Sequence, residues 1–409
     1  MTALIGRRLV AVLALLVLAP GCSGDTSVPP PAPSATSAGR TAAAQRVLED
    51  LAEALSARDA GAAAALGGPE ATDLLRTATA NAARLDLEDI AFRVIDDQAL
   101  LDDADRERYG PRAWAASVQL TYRLPAWDRQ ATRLETRVVF GSAGDTHEII
   151  GLGGGASRTP LWLTGPLARV ASGRVLVIAR DDGERFLRLG RRALDAVARV
   201  LPDWRGPLVV EVPADGVELA QTLAAPADRY ATIAAVTASV DGSLAPGAPV
   251  HVFVNPTVFD TLGPRGAQVV MSHEGTHVAT EATFADVPTW LLEGFADYVA
   301  LAHAGIPVST AAAQALGRIR KNGLPDGLPT AADLDPTATG LGATYELAWL
   351  AARFIAVQHG EAGLVAFYRQ VSAGVSVEVA FREALGTTEA EFVRRWRADL
   401  KELSTAVTG

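Results

Sequence analysis

The sequence predicts an α+β fold in two unequal parts. Three observations point there: helical spacing gives way to β-rich runs before residue 155, strands alternate with helices between residues 174 and 256, and the remainder reads almost wholly as helix. At 409 residues, with 49% hydrophobic and 21% charged composition, the chain has room for two or three folded domains. A net charge of -10 and the lack of any basic run beyond the first residues argue against nucleic acid as a partner, because phosphate binding needs clustered positive surface.

The N-terminus reads as an export address. Arg7 and Arg8 precede an apolar run from Leu9 to Ala19. That run is too short for a bilayer span of about 20 residues and suits the core of a signal peptide. It ends in "LAPGC", residues 18 to 22, which resembles a bacterial lipobox; Ala19 and Pro20 depart from the usual pattern and Gly21 fits it. The resemblance implies that residues 1 to 22 are a lipoprotein signal peptide and that Cys22 becomes the lipidated N-terminus. The protein would then sit on the extracytoplasmic side of the cell membrane, held by its lipid anchor. An ordinary secretory signal cut near the same point is the alternative. Cys22 is the sole cysteine, so no disulfide can form within the chain. Residues 23 to 40, rich in Pro, Ser, Ala and Thr with almost no large apolar side chain, read as an extended linker.

From Thr41 the pattern changes. "AAAQRVLEDLAEALSARDAGAAAALG" has apolar residues at helical spacing, and a second helical stretch runs through Ala83. Four β-rich runs follow: "FRVIDDQAL", "WAASVQLTYRLP", "TRLETRVVFGSAG" and "HEIIGLGG". Helices followed by a curled antiparallel sheet resemble the nuclear transport factor 2-like or cystatin-like cone. The resemblance covers residues 41 to 155, rests on element order, and implies an accessory domain that acts as a spacer or recognises a ligand. His147 is expected to be an ordinary strand or surface residue there.

After the Gly-rich break "GLGGGASRTP" a second domain is expected over residues 160 to 405. Strands at 174 to 179, 207 to 213, 230 to 240 and 249 to 256 alternate with helices at 184 to 201 and 217 to 223, giving a mixed sheet with helices packed on it. "GAQVVMSHEGTHVATEA" is then helical by spacing. "TWLLEGFADYVALAHA" is helical too, with Pro288 just ahead of it where proline is tolerated.

The motif that carries chemistry lies on these two helices. Residues four apart share a helix face, so His273 and His277 can aim their imidazoles at one point about 2 Å from each, which is a metal's geometry. A hairpin of the two helices can add Glu293, 16 positions after His277, as a third ligand. "HEGTH" followed by "WLLEGFADY" resembles the glutamate-zincin metallopeptidases, and most of all the peptidase MA-like domains of bacterial lipoproteins. That resemblance implies a zincin-like domain whose helical half binds one zinc ion per chain through His273, His277 and Glu293, with Glu281 a competitor for the third place. Three protein ligands leave a fourth position for water, and Glu274 beside them can act as general base and return the proton to the leaving amine.

Related enzymes also imply that Asp297, one turn after Glu293, accepts a hydrogen bond from a ligand histidine. They further imply a tyrosine or histidine that stabilises the oxyanion, for which Tyr345 is the candidate. Tyr298 is expected to face away, Tyr368 to sit in an apolar stretch, and His303 and His359 to lie at the surface or at helix ends. The strand "HVFVNP", just before the zinc helix, is expected at the sheet edge that pairs with extended peptide. These features together imply an extracytoplasmic zinc metallopeptidase acting on a peptide or protein substrate. The alternative is a metal-containing envelope lipoprotein that binds a partner or ligand without catalysis.

Overall fold

The structure, a computed structural model, describes residues 35–143, 146–226, 228–335 and 338–406. Cys22, the signal peptide and the linker up to residue 34 lie outside the described residues. Helix α1 (Ala35–Ala57) begins inside the stretch expected to be linker, because the alanine-rich segment after Thr41 extends backwards as helix. Helices α2 (Ala60–Ala65) and α3 (Thr72–Leu85) follow, and Asp59 caps α2 by accepting from the backbone N–H groups of Gly61 and Ala62.

Four antiparallel strands come next in simple meander order: β1 (Glu88–Ala99), β2 (Trp114–Arg123), β3 (Thr132–Ala143) and β4 (Thr146–Leu152). Register shifts along β1 and in the β3–β4 pairing mark bulges that bend the sheet, and α1 packs on β1. Between β1 and β2 the chain forms helix α4 (Asp103–Tyr109), absent from the sequence reading. It has no apolar stripe to reveal it. Instead Asp102 and Asp105 close a capping box at its start.

The second sheet contains β5 (Ala168–Ser172), β6 (Val175–Ala179), β7 (Leu208–Val212), β8 (Ala235–Ser239) and β9 (Val250–Val254), in the order β5-β6-β7-β9-β8. The three central strands are parallel, while β5 and β8 run antiparallel at the two edges. Helix α5 (Gly183–Val200) joins β6 to β7, and α6 (Gly216–Thr222) follows β7. The rest is helical: α7 (Pro256–Phe259), α8 (Pro264–Ala279), α9 (Thr289–Leu301), α10 (Val308–Ala311), α11 (Ala313–Asn322), α12 (Leu341–Ser372, broken at Gly360), α13 (Val377–Leu385) and α14 (Glu389–Ala406). The fold is α+β, with a mixed sheet followed by a helical C-terminal half.

The central strands of the second sheet are buried on both faces, which is why they are almost wholly apolar, broken only by Glu211 of β7 and His251 of β9. Val177, Val210 and Val252 face α5 and α8 and pack with Phe186, Ala193 and Met271. Their neighbours Leu176, Ile178, Val209 and Phe253 point the other way, into the core that also holds Leu134, Phe140 and Trp162 of the preceding segments. The second sheet is therefore a middle layer, and its lower face shares one continuous core with the N-terminal meander. A third core, around Trp290, Phe295, Phe367, Phe381 and Trp396, ties α9 to α12, α13 and α14.

Candidate metal centre

Helix α8 lies against α5 on the upper face of the second sheet, and α9 packs on α12. Pro264 at the first turn of α8 supplies a preset φ where its missing N–H costs nothing. After Thr280 the chain reverses through Glu281, whose φ of 52° ends the helix, and Pro288 precedes α9. The two helices thus form a hairpin held from opposite sides by separate cores. Gly294, beside Glu293, is fixed by packing: a Cβ there would lie 2.3 Å from the carbonyl oxygen of Ala348 on α12. Only glycine allows that close approach.

The hairpin brings His273, His277 and Glu293 together. Their Nε2, Nε2 and Oε2 atoms form a triangle with sides of 2.9, 3.2 and 3.5 Å. Ligands held 2.0–2.1 Å from a tetrahedral zinc lie about 3.3 Å apart, so the set matches such an ion. Burial alone would lower the pKa of His273, but the carboxylates of Asp297 and Glu293 raise it well above the usual histidine value. Burial pushes Glu293 up, yet the two imidazoles outweigh it and hold the carboxyl far below its usual range. Two ring nitrogens 2.9 Å apart cannot both carry protons on that side. A bound cation would take the place of the proton that His273 shares with Glu293, because with both Nε2 atoms deprotonated three lone pairs converge on one point.

The Nδ1 of His273 faces Oδ1 of Asp297 at 2.8 Å, so that a neutral His273 would keep its proton on Nδ1 and leave Nε2 free. His277 has no such support: its Nδ1 is buried without a hydrogen-bond partner. Glu274, on the same turn, stays outside the triangle. Its carboxylate accepts from the Thr237 hydroxyl of β8 at 2.7 Å, and the side chain opens into a cavity of about 400 Å³ shared with His273, His277, Glu293 and Tyr345. Tyr345, in the first turn of α12, is held in its protonated form by burial and by Glu293, Asp297 and Glu274 around it. Its hydroxyl keeps a proton to donate there.

Glu281 lines a different cavity, with Trp127 and Trp204, and does not join the convergent set. Tyr298 donates to Glu361 at 3.0 Å, and Tyr368 stacks on Phe295 with centroids 4.3 Å apart; neither lines the cavity. His147 packs edge-on against Trp114, while His303 is exposed.

One expectation is corrected here. Strand β9, "HVFVNP", is interior, flanked by β7 and β8, and the edge is β8. The returning strand after the 241–249 turn slots between its predecessor and β7, and nothing local in either strand announces this. Residues 235–239 of β8 line the same cavity as the histidines, with one side of the strand unpaired. Two further cavity residues, Thr237 and Arg158, went unremarked in the sequence. Each reaches the site from a segment distant in the chain, and the sequence carries no local signal for either. Compared with models of protein families and with curated proteins, the chain matches none.

Proposed function

We propose that the protein is an extracytoplasmic zinc metallopeptidase of the glutamate-zincin type, with residues 160–405 as its catalytic domain and the N-terminal meander as an accessory domain. The observation that carries the reading is Glu274: next to His273 and three residues before His277, in the same cavity, yet bonded to Thr237 and not to the ligand triangle. A site that only stapled the fold would have no use for a free carboxylate at an open coordination position.

His273, His277 and Glu293 would hold the ion. When bound, zinc there polarises a scissile carbonyl and acidifies water. Glu274 would take a proton from the attacking water on the carboxylate oxygen that Thr237 leaves free while the water oxygen bonds to the carbonyl carbon, and would pass that proton to the amine as the C–N bond breaks. Tyr345 donates to the oxygen on which negative charge develops. Edge strand β8 offers its unpaired backbone groups to an extended peptide, which aligns the scissile bond over Glu274. Asp297 keeps His273 oriented.

Two experiments test the reading. The purified protein should carry about one zinc per chain, and His277→Ala should lose most of it while staying folded, since two ligands hold zinc far less firmly than three. A folded wild type that takes up no zinc from a micromolar solution would overturn the assignment. Attachment is proposed through the lipid on Cys22; among the described residues no helix is long and apolar enough to cross a membrane. Cys22→Ala should move the protein from the membrane fraction to the soluble fraction or stall its maturation, and unchanged membrane association would remove the anchor.

A further inference from the structure

Arg158 is drawn into the fold without an ion pair among the described residues. Arg137 pairs with Asp105, and Arg180 with Glu218, each ion pair largely withdrawn from solvent. Arg158 is partly buried as well, but among the described residues no carboxylate lies within ion-pair distance of it. Its hydrogen bonds are long ones, from Nη1 to the backbone oxygens of Val240 at 3.3 Å and Ser239 at 3.5 Å. Burial lowers its pKa, with Tyr230, Asp241 and Tyr122 acting the other way from further off. A partly buried guanidinium whose nearest acidic influence, Asp241, lies beyond ion-pair distance keeps the capacity to bind a carboxylate directly.

The loop that presents Arg158 is built to hold it. Gly153, Gly154 and Gly155 all take positive φ, the Ser157 hydroxyl donates to the Gly154 carbonyl at 3.1 Å, and the Thr159 N–H donates to the Gln221 carbonyl at 3.0 Å. The guanidinium lies over Gly242, where a Cβ would stand 2.6 Å from Nη2. It lines the metal cavity on one side and, on the other, a second cavity of about 470 Å³ bounded by Ser117, Glu135 and Arg137 of the N-terminal sheet. The two spaces meet at this side chain.

Its position along β8 gives it a meaning. Thr237 marks the level of Glu274, and Arg158 sits at Ser239 and Val240, two to three residues further along. At about 3.4 Å per residue that is about 7–10 Å from the reacting bond of any peptide laid along the strand. We infer that Arg158 is the carboxylate-recognising subsite of this cleft, selecting peptides with a carboxylate two or three residues to one side of the scissile bond, at the junction with the N-terminal domain. The inference rests on the peptidase reading for the path of the peptide, but its test does not need turnover.

Two sources of carboxylate fit: an Asp or Glu side chain, or the chain terminus. The test measures binding to zinc-loaded Glu274→Gln protein by fluorescence anisotropy. The probes are fluorescein-labelled Ala/Ser decapeptides with one Asp at successive positions and an amidated C-terminus, the same series with Asn, and an uncharged series with a free C-terminal carboxylate. At least one charged series should bind about tenfold or more tighter than its neutral counterpart, the scale of a charge-assisted contact. Adding Arg158→Gln, which keeps a donor for the Val240 carbonyl, should abolish that preference, and Arg158→Glu should reverse it toward Lys-containing probes. Preference in the Asp series names a side chain as the source; preference in the free-terminus series names the chain end. Equal binding of charged and neutral probes, or a preference that survives Arg158→Gln, overturns the inference. Arg158-dependent binding by a wild type that hydrolyses none of these probes and no peptide in a broad library would sustain the subsite and remove the peptidase.

Discussion

Glu274→Gln is expected to lower hydrolysis of any peptide the wild type cleaves by about 100- to 10,000-fold, the usual worth of a positioned general base. Glutamine keeps the shape of the side chain, and its amide oxygen can still accept from Thr237, now 2.7 Å from the carboxylate. It has no basic oxygen to take a proton. Zinc content and thermal stability should therefore stay near wild type, which separates this variant from His277→Ala. Unchanged peptide hydrolysis with zinc bound would remove Glu274 as the base and leave the enzyme reading without its mechanism. If the wild type cleaves nothing in a broad peptide library and a Glu274→Gln strain behaves like its parent, the partner-binding lipoprotein becomes the better account.

What made this site legible in the sequence was its locality. A pair of histidines four apart needs only a helix to converge, and Pro288 followed by an apolar 3.6-residue pattern announces the helix that carries Glu293. Residues fixed by long-range order were not legible. Which of two consecutive strands lies at the edge depends on whether β9 inserts beside β7, a pairing of Val210 with Val252 that no local pattern encodes. Strand β5 escaped notice because it is short and mostly solvent-facing, with Gly173 at φ 58° turning it directly into β6. The stretch from Tyr230 reads as strand from its β-branched and aromatic residues. It becomes ladder only at Ala235, because the chain is still turning until Ile233, with the N–H groups of Ala231 and Ile233 donating to the carbonyls of Asp228 and Tyr230.

The same limit hid a buried polar cluster around His251. His251 of β9 points into the core between the second sheet and the N-terminal meander, 1% exposed, with Nδ1 2.7 Å from Glu211 of β7 and Nε2 3.1 Å from Asp128 in the β2–β3 connection. Its acidic partners are 40 and 123 residues away in sequence. Burial by itself would lower the pKa of His251, but Asp128 and Glu211 outweigh it and raise the value to about 10. Tyr122, buried beside both acids, is pushed well above its ordinary value and stays neutral, so it adds no charge to the cluster.

The folded protein thus holds a proton that the unfolded chain, with an ordinary histidine pKa near 6.5, gives up. The stability this provides is fully present below about pH 6.5 and is lost progressively as pH rises toward 10. The urea midpoint of the wild type, followed by tryptophan fluorescence, should therefore fall across that window. His251→Leu leaves two buried carboxylates without a counter-charge and should cost about 3–5 kcal/mol at pH 6, the range found when one partner of a buried ion pair is removed. Replacing all three residues by apolar ones of similar volume should recover most of that loss, because no charge is then left uncompensated, and should flatten the pH dependence that the wild type shows. A wild-type midpoint as flat as the triple variant's between pH 6.5 and 10 would mean that His251 is neutral in the folded state, and that hydrogen bonding alone joins the N-terminal meander to the sheet at this point.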